Sequence, residues 1–192
     1  MKSLIIAAVS LTLLVLSHNT TEMGFFDFLF NNKKLENKQR EQFQDSVTTQ
    51  IRHKEFIKKV CDSKIVYALK NSEGFATSSS VQFEDKKGKP IGIICFWAEK
   101  ARAKSCIKEN WKNYKVVEVP LAAFMENWCI GMENDNLLIG TGFDENMFGY
   151  EAEPLELILE LTTELKSLGK DLEFRKFKGI SDLEKQVKAI IE

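Results

Sequence analysis

Histidine is scarce in this chain: His18 and His53 are the two, against four cysteines, none in a C-x-x-C pair. Zinc sites draw several imidazole or thiolate ligands from short spacings, so a zinc site is poorly supported. Cys61, Cys95, Cys106 and Cys129 each stand among apolar residues, as in Ile94-Cys95-Phe96, and read as buried free thiols. Their spacing leaves a pair of disulfides open if the domain is exported. Charge of one sign is lacking too. Lys and Arg number 27 against 28 Asp and Glu, a formal charge of -1. That balance gives no general pull toward nucleic acid or anionic membrane. Short basic runs such as Lys86-Lys87 and Arg175-Lys176 read as solvated surface. The three prolines, Pro90, Pro120 and Pro154, each fall where one element gives way to the next.

A long apolar run is also missing. The longest candidate, Leu4 to Leu16 after Lys2, is too short to cross a bilayer comfortably. A basic residue followed by a short apolar stretch is the pattern of a secretory signal. Ser17-His18-Asn19 supplies no small-x-small cleavage site, and no Cys follows for lipid attachment. Met23-Gly24-Phe25-Phe26-Asp27-Phe28-Leu29-Phe30 has the look of a second start. Two localisations therefore stand side by side. The protein is exported or membrane-tethered if residues 1–17 act as a signal or anchor, and cytoplasmic if translation starts at Met23. Gly24 does not make a myristoylation site, because Phe28 stands where Ser or Thr is expected.

What is present suits one folded domain. The 192 residues are 44% hydrophobic and 29% charged, with 14 Phe and three Trp to fill an interior. Residues 1–22 form the signal-like or anchor segment, and 23–42 a Phe-rich extension with a polar linker. Residues 43–192, beginning near Phe43, form the compact domain. A helix is expected over Gln50–Cys61, from Ile51, Phe56, Ile57 and Val60. Ile65–Leu69 and Phe75–Phe83 read as strands joined in an antiparallel hairpin, and Ile91–Trp97 as a central strand buried on both faces. A helix over Glu99–Lys112, a strand over Lys115–Val119 and a helix from Pro120 to Trp128 follow. Met132–Asp135 reads as a turn, Asn136–Gly142 as a strand and Phe143–Glu153 as an irregular loop. Leu155–Leu168 reads as a helix closed by Gly169. Leu172–Phe177 reads as a strand, and Ser181–Ile191 as a helix with a capping box from Ser181 and Glu184. The order is neither pure βαβ nor pure hairpins, so the expected class is α+β, a small, mostly antiparallel sheet packed against helices.

Several blocks recur together in a known pattern. They include Phe56-Ile57-Lys58-Lys59-Val60, Val66-Tyr67-Ala68-Leu69 and Phe96-Trp97-Ala98-Glu99-Lys100-Ala101. Trp111-Lys112-Asn113-Tyr114, Val119-Pro120-Leu121-Ala122-Ala123-Phe124 and Gly140-Thr141-Gly142-Phe143-Asp144 follow, then Gly149-Tyr150-Glu151-Ala152-Glu153-Pro154. Over about residues 56–165 the chain resembles the DUF2750 family, a bacterial family of unknown function. Trp97 matches the pattern, while Cys95 or Phe96 stands where the family tends to have Pro or Leu, and Phe143 where many members have Trp. The resemblance implies no particular chemistry, and it leaves the segments before residue 56 and after Gly169 unmatched.

Two residue sets compete for a functional role. Trp97, Trp111, Tyr114 and Trp128 end successive elements, and such rings either line a shared recognition groove or join sheet to helices. Asp144, Glu145, Glu151 and Glu153 form the local acidic cluster. A carboxylate pair does acid–base work or binds a hard metal when burial brings it together, and otherwise solvates a loop or caps the helix at Pro154. Ser78, Ser79 and Ser80 lack a nucleophile elbow, and Gly140-x-Gly142 lacks the third glycine of a dinucleotide fingerprint. No catalytic residue, metal ligand or cofactor is assigned. The expectation is a non-enzymatic binding or protein-interaction domain whose partner is another protein rather than nucleic acid, with membrane contact only through the N-terminal segment. The alternatives are a hydrolase or metal-dependent enzyme built on Asp144–Glu153, and a structural envelope-associated protein.

Overall fold

A computed structural model describes residues 46–108 and 111–192. The expectations for residues 1–42 and for a domain start near Phe43 lie outside the described residues. The first helix, α1, covers residues 46–63. Its buried side chains are His53, Phe56, Ile57, Val60 and Cys61, a stripe at three- and four-residue spacing. Ile51 faces away from it, 54% exposed, so the stripe begins with an imidazole where the sequence suggested isoleucine.

Six strands form one mixed sheet: β1 (Ile65–Lys70), β2 (Thr77–Glu84), β3 (Pro90–Trp97), β4 (Lys115–Pro120), β5 (Leu138–Thr141) and β6 (Tyr150–Ala152). The order is β4-β1-β3-β5-β6, with β2 also paired to β3. All pairs are antiparallel except β3 with β5. The helices are α2 (Lys100–Ser105), α3 (residues 121–134, with a π-helical middle over Phe124–Cys129), α4 (Pro154–Ser167) and α5 (Ile180–Ile191). The fold is thus α+β, as the element order indicated. No described helix is long and apolar enough to cross a membrane.

Alternation along the strands sends side chains to two faces. One face carries Val66, Ala68, Phe96 and Ile139, and packs against Phe56 and Val60 of α1, Phe124 and Met125 of α3, and Ile158 and Leu161 of α4. The other carries Leu69, Ile93, Cys95, Trp97 and Leu138, covered by Ala103 of α2 and by Cys106, Trp111 and Phe143 from the loops. The second face is covered mainly by loops, and the groove described below opens there.

Several local expectations are corrected. β1 and β2 do not form a hairpin: a single bridge, Lys70 to Phe75, joins them, and both strands pair instead with β3. α2 ends at Ser105, short of Lys112: the N–H groups of Cys106 and Ile107 reach back three residues, to the Ala103 and Lys104 carbonyls, closing the helix in a tighter turn. α3 continues past Trp128 through the presumed turn at Met132, which is itself buried. The presumed loop Phe143–Glu153 contains β6. Residues 172–177 form no strand. The backbone N–H groups of Arg175 and Lys176 donate to the buried Glu126 carboxylate at 2.8 and 3.2 Å, in place of a strand partner. The N-cap of α5 is Gly179 rather than Ser181.

Candidate functional site

Trp97 is fully buried at the end of β3, and its indole N–H donates to the Phe143 carbonyl at 2.8 Å. Trp111 meets it edge-on, with ring centres 6.1 Å apart, and Tyr114 tilts against Trp111 at 6.4 Å. Turn hydrogen bonds from Trp111 N–H to Lys108 O and from Tyr114 N–H to Trp111 O hold this connection between α2 and β4. Trp128 lies on the opposite side of the sheet. It contacts Phe75 and Phe96 edge-on, at 4.4 and 5.4 Å. The four rings therefore do not line one groove: three come together and the fourth is packing for the helical face.

The acidic residues separate as well. Asp144 pairs with Arg52 of α1 at 2.9 Å through one oxygen. Its other oxygen accepts from the N–H groups of Asn146 and Phe148, at 2.9 and 3.1 Å. This is the Asx-type closure that lets a short loop turn tightly. Glu151 is buried on β6 and accepts from Ser80 Oγ at 2.5 Å and Val81 N–H at 3.0 Å. Ser80 in turn accepts from the N–H groups of Gln82 and Phe83. The carboxylate thereby pins the irregular stretch of β2, between Ser79 and Glu84, across the sheet. Glu153 is exposed at the N-cap of α4 and makes no side-chain capping bond. Asp144 and Glu151 share no partner: Asp144 is engaged by Arg52 and two backbone N–H groups, and Glu151 by the Ser80 hydroxyl and the Val81 N–H. Among the described residues, no group of three or more His, Cys, Asp or Glu side chains is placed to hold a metal ion.

What does assemble is a groove of about 700 Å³. Cys106 and Trp111 form its floor, and Thr77, Ser78 and Tyr114 one wall. Glu145, Asn146 and Met147 also line its rim, and Glu145 is ion-paired with Lys108. The rim loop is shaped from beneath by Phe143: a Cβ on Gly140 would come within 2.7 Å of its ring, and one on Gly149 would overlap it. Only glycine leaves room there for so close an approach. Cys106 brings no reactivity to the floor, because burial pushes its thiol up and away from the thiolate form that attacks.

Sequence reasoning missed one constellation. His53 is 4% exposed; its Nδ1 lies 2.7 Å from Thr141 Oγ1 and its Nε2 2.6 Å from Glu160 Oε2. Its ring stacks on Tyr150 at 4.0 Å. Burial, then the Glu160 and Glu153 charges, push the Tyr150 phenol up. Hydroxyl, imidazole and carboxylate stand in the order of a hydrolase triad. Thr141 is fully buried, however, so its hydroxyl meets no substrate, and the chain of bonds joins α1, β5 and α4 instead. The 53-56-57-60-61 spacing places His53 on the buried stripe of α1, but nothing in the local sequence points to Thr141 and Glu160 as its partners.

A small α+β domain whose mixed sheet carries helices on one face and an open groove on the other is the class these features define. The chain belongs to the DUF2750 family, described as a protein of unknown function, whose pattern matches residues 53–161. No curated protein and no solved structure matches the chain.

Proposed function

We propose that the domain is a non-enzymatic protein-binding module that seats a segment of a partner in the groove beside Trp111 and Tyr114. The supporting observation is the groove itself, with an aromatic ring at its floor, a second at its wall and hydroxyl groups on its margin. Tyr and Trp are enriched where proteins bind, because they offer large rigid contact area at low entropic cost. Met147 on the rim is 39% exposed and the adjacent Phe148 57% exposed, adding apolar surface on the same loop. Methionine adapts to varied partner shapes.

Affinity capture from an extract of the native host, using the full chain, checks this reading. Tyr114→Ala removes the wall ring, and Ser78→Arg fills the groove. A partner captured by the wild type is expected to be lost with both variants, and the purified partner to bind each at least about tenfold more weakly. Partner sets unchanged by both substitutions, with native circular dichroism, would count decisively against the groove.

A further inference from the structure

β2 supplies one wall of the groove, and one edge of β2 is bare. Among the described strands it pairs with β3 alone, while β4 covers β1 from Ile65 to Lys70 and reaches no further. The Cys95 N–H donates to the Ala76 carbonyl at 3.2 Å, which fixes the phase of the β2–β3 ladder. Bonds in an antiparallel pair fall on alternate residues, so Ser78 is also bonded toward β3, and Thr77 and Ser79 direct their N–H and C=O groups outward. Among the described residues, none of these outward groups has a hydrogen-bond partner. Both residues are exposed. The bare run is short. The ladder shifts register beyond Ser79, where Glu151 and the Ser80 hydroxyl take the N–H groups of Val81, Gln82 and Phe83.

The groove meets this edge. Ser78 stands opposite Ile93, whose side chain belongs to the loop-covered face, and Thr77 opposite Ile94, which packs on the helical face. A depression that touches both residues reaches the backbone edge of the strand rather than one face of it. We infer that the partner segment binds as an extended strand added to the outer edge of β2, its main chain bonded to Thr77 and Ser79. This names the occupant of the groove proposed above and rests on that reading. Outward N–H and C=O groups at strand spacing are matched by another extended main chain, not by a helix, whose own groups are bonded internally. The segment residue opposite Ser78 turns its side chain to the same face as Ser78, where Trp111 and Tyr114 stand, and its two neighbours turn away. Main-chain bonds then supply affinity, and alternate side chains select for an apolar residue.

Selection of a random peptide library on the immobilised full chain, followed by anisotropy titration of labelled synthetic copies, tests it. Thr77→Pro deletes an outward N–H that the ladder does not use, a position where a strand edge accepts proline. Peptide affinity is expected to fall roughly tenfold in this variant, with native circular dichroism. Methylating the peptide amides one at a time leaves the domain unaltered, and is expected to abolish binding at alternate positions only. Peptides lost with Tyr114→Ala overturn strand addition, and leave the groove standing, if their methylation profile does not alternate or if a folded Thr77→Pro binds them as the wild type does. A library that yields no binder, or binders indifferent to both Tyr114→Ala and Ser78→Arg, overturns both readings. Self-association of the wild type that Thr77→Pro abolishes and no selected peptide displaces overturns the partner segment in favour of a second copy of this chain.

Discussion

An imidazole with 4% exposure is tolerable because both of its nitrogens are used, one toward Thr141 and one toward Glu160. Replacing His53 with Leu strands the fully buried Thr141 hydroxyl, and an unmet buried hydroxyl costs about 1–3 kcal/mol. The expected outcome is a destabilisation of that order in urea titration, largely recovered when Thr141→Val is added, since both polar groups are then gone. A double variant no better than the single one would show that the pair is not coupled. The thiols make a second prediction at this scale. Burial is the first cause of the raised pKa at all four cysteines, with Cys61 pushed up to about 12. Maleimide at neutral pH is expected to label none of them in the folded domain and all of them in denaturant; stoichiometric labelling of the native protein would refute their burial. The thiols were legible in the sequence from their apolar neighbours. His53 was not, because a single polar residue on a helix gives no sign of which partners the distant β5 and α4 will bring to it.

At the scale of elements, the periodic helices were readable and the places where side chains capture backbone were not. The stretch from Leu172 to Phe177 alternates like a strand, yet Glu126, 49 residues before Arg175, takes its N–H groups. Likewise α5 begins with the Ile180 N–H donating to Asp171 at 3.0 Å, nine residues back, rather than with a local Ser181 cap. The N–H groups of Ile180 and Leu172 hold the Asp171 carboxyl below its usual range. A depressed folded-state pKa means that this contribution is present above the unfolded value near pH 4 and is lost as pH falls through the folded one. Asp171→Asn is therefore expected to lower stability at neutral pH and to flatten the acid limb of the stability–pH curve; an unchanged acid limb would remove Asp171 from the capping role. Gly179, at φ 131° with a would-be Cβ 3.1 Å from Asp171 Oδ2, belongs to the same cap. The bulged end of β2 depends on Glu151 in a similar way. Glu151→Ala leaves the buried Ser80 hydroxyl and the Val81 N–H without their acceptor, at a cost of about 1–3 kcal/mol. Faster amide exchange confined to residues 80–83 is the expected signature, and protection equal to wild type would show that the bulge holds without the latch.

For the whole molecule, the class followed from element order, while the topology did not. Sequence neighbours β1 and β2 looked like a hairpin, but β3 is apolar enough on both sides to accept β1, β2 and β5. Its parallel partner β5 begins 41 residues after β3 ends, and no local turn signal encodes such a pairing. The same non-local logic governs the C-terminal helix. The family match ends at residue 161, yet α5 lies beyond it and buries Ile180, Leu183 and Val187 at 5%, 0% and 1% exposure. Its Leu183 and Val187 join the same apolar cluster as Leu161 and Leu165 of α4, and Lys166 is ion-paired with Glu184. Burying three such side chains contributes at most roughly 5–9 kcal/mol. That is a large part of the 5–15 kcal/mol that holds a typical domain together. A chain ending at Gly169 should therefore lose cooperative thermal unfolding or melt far below the full chain, with dye binding to the uncovered α4 surface. The groove lies on the sheet face away from α5, so Leu183→Ala in the full chain should lower the melting temperature while leaving the affinity for a groove peptide unchanged below it. A truncated chain with the full chain's melting curve would mean that α5 rests on the domain without supporting it.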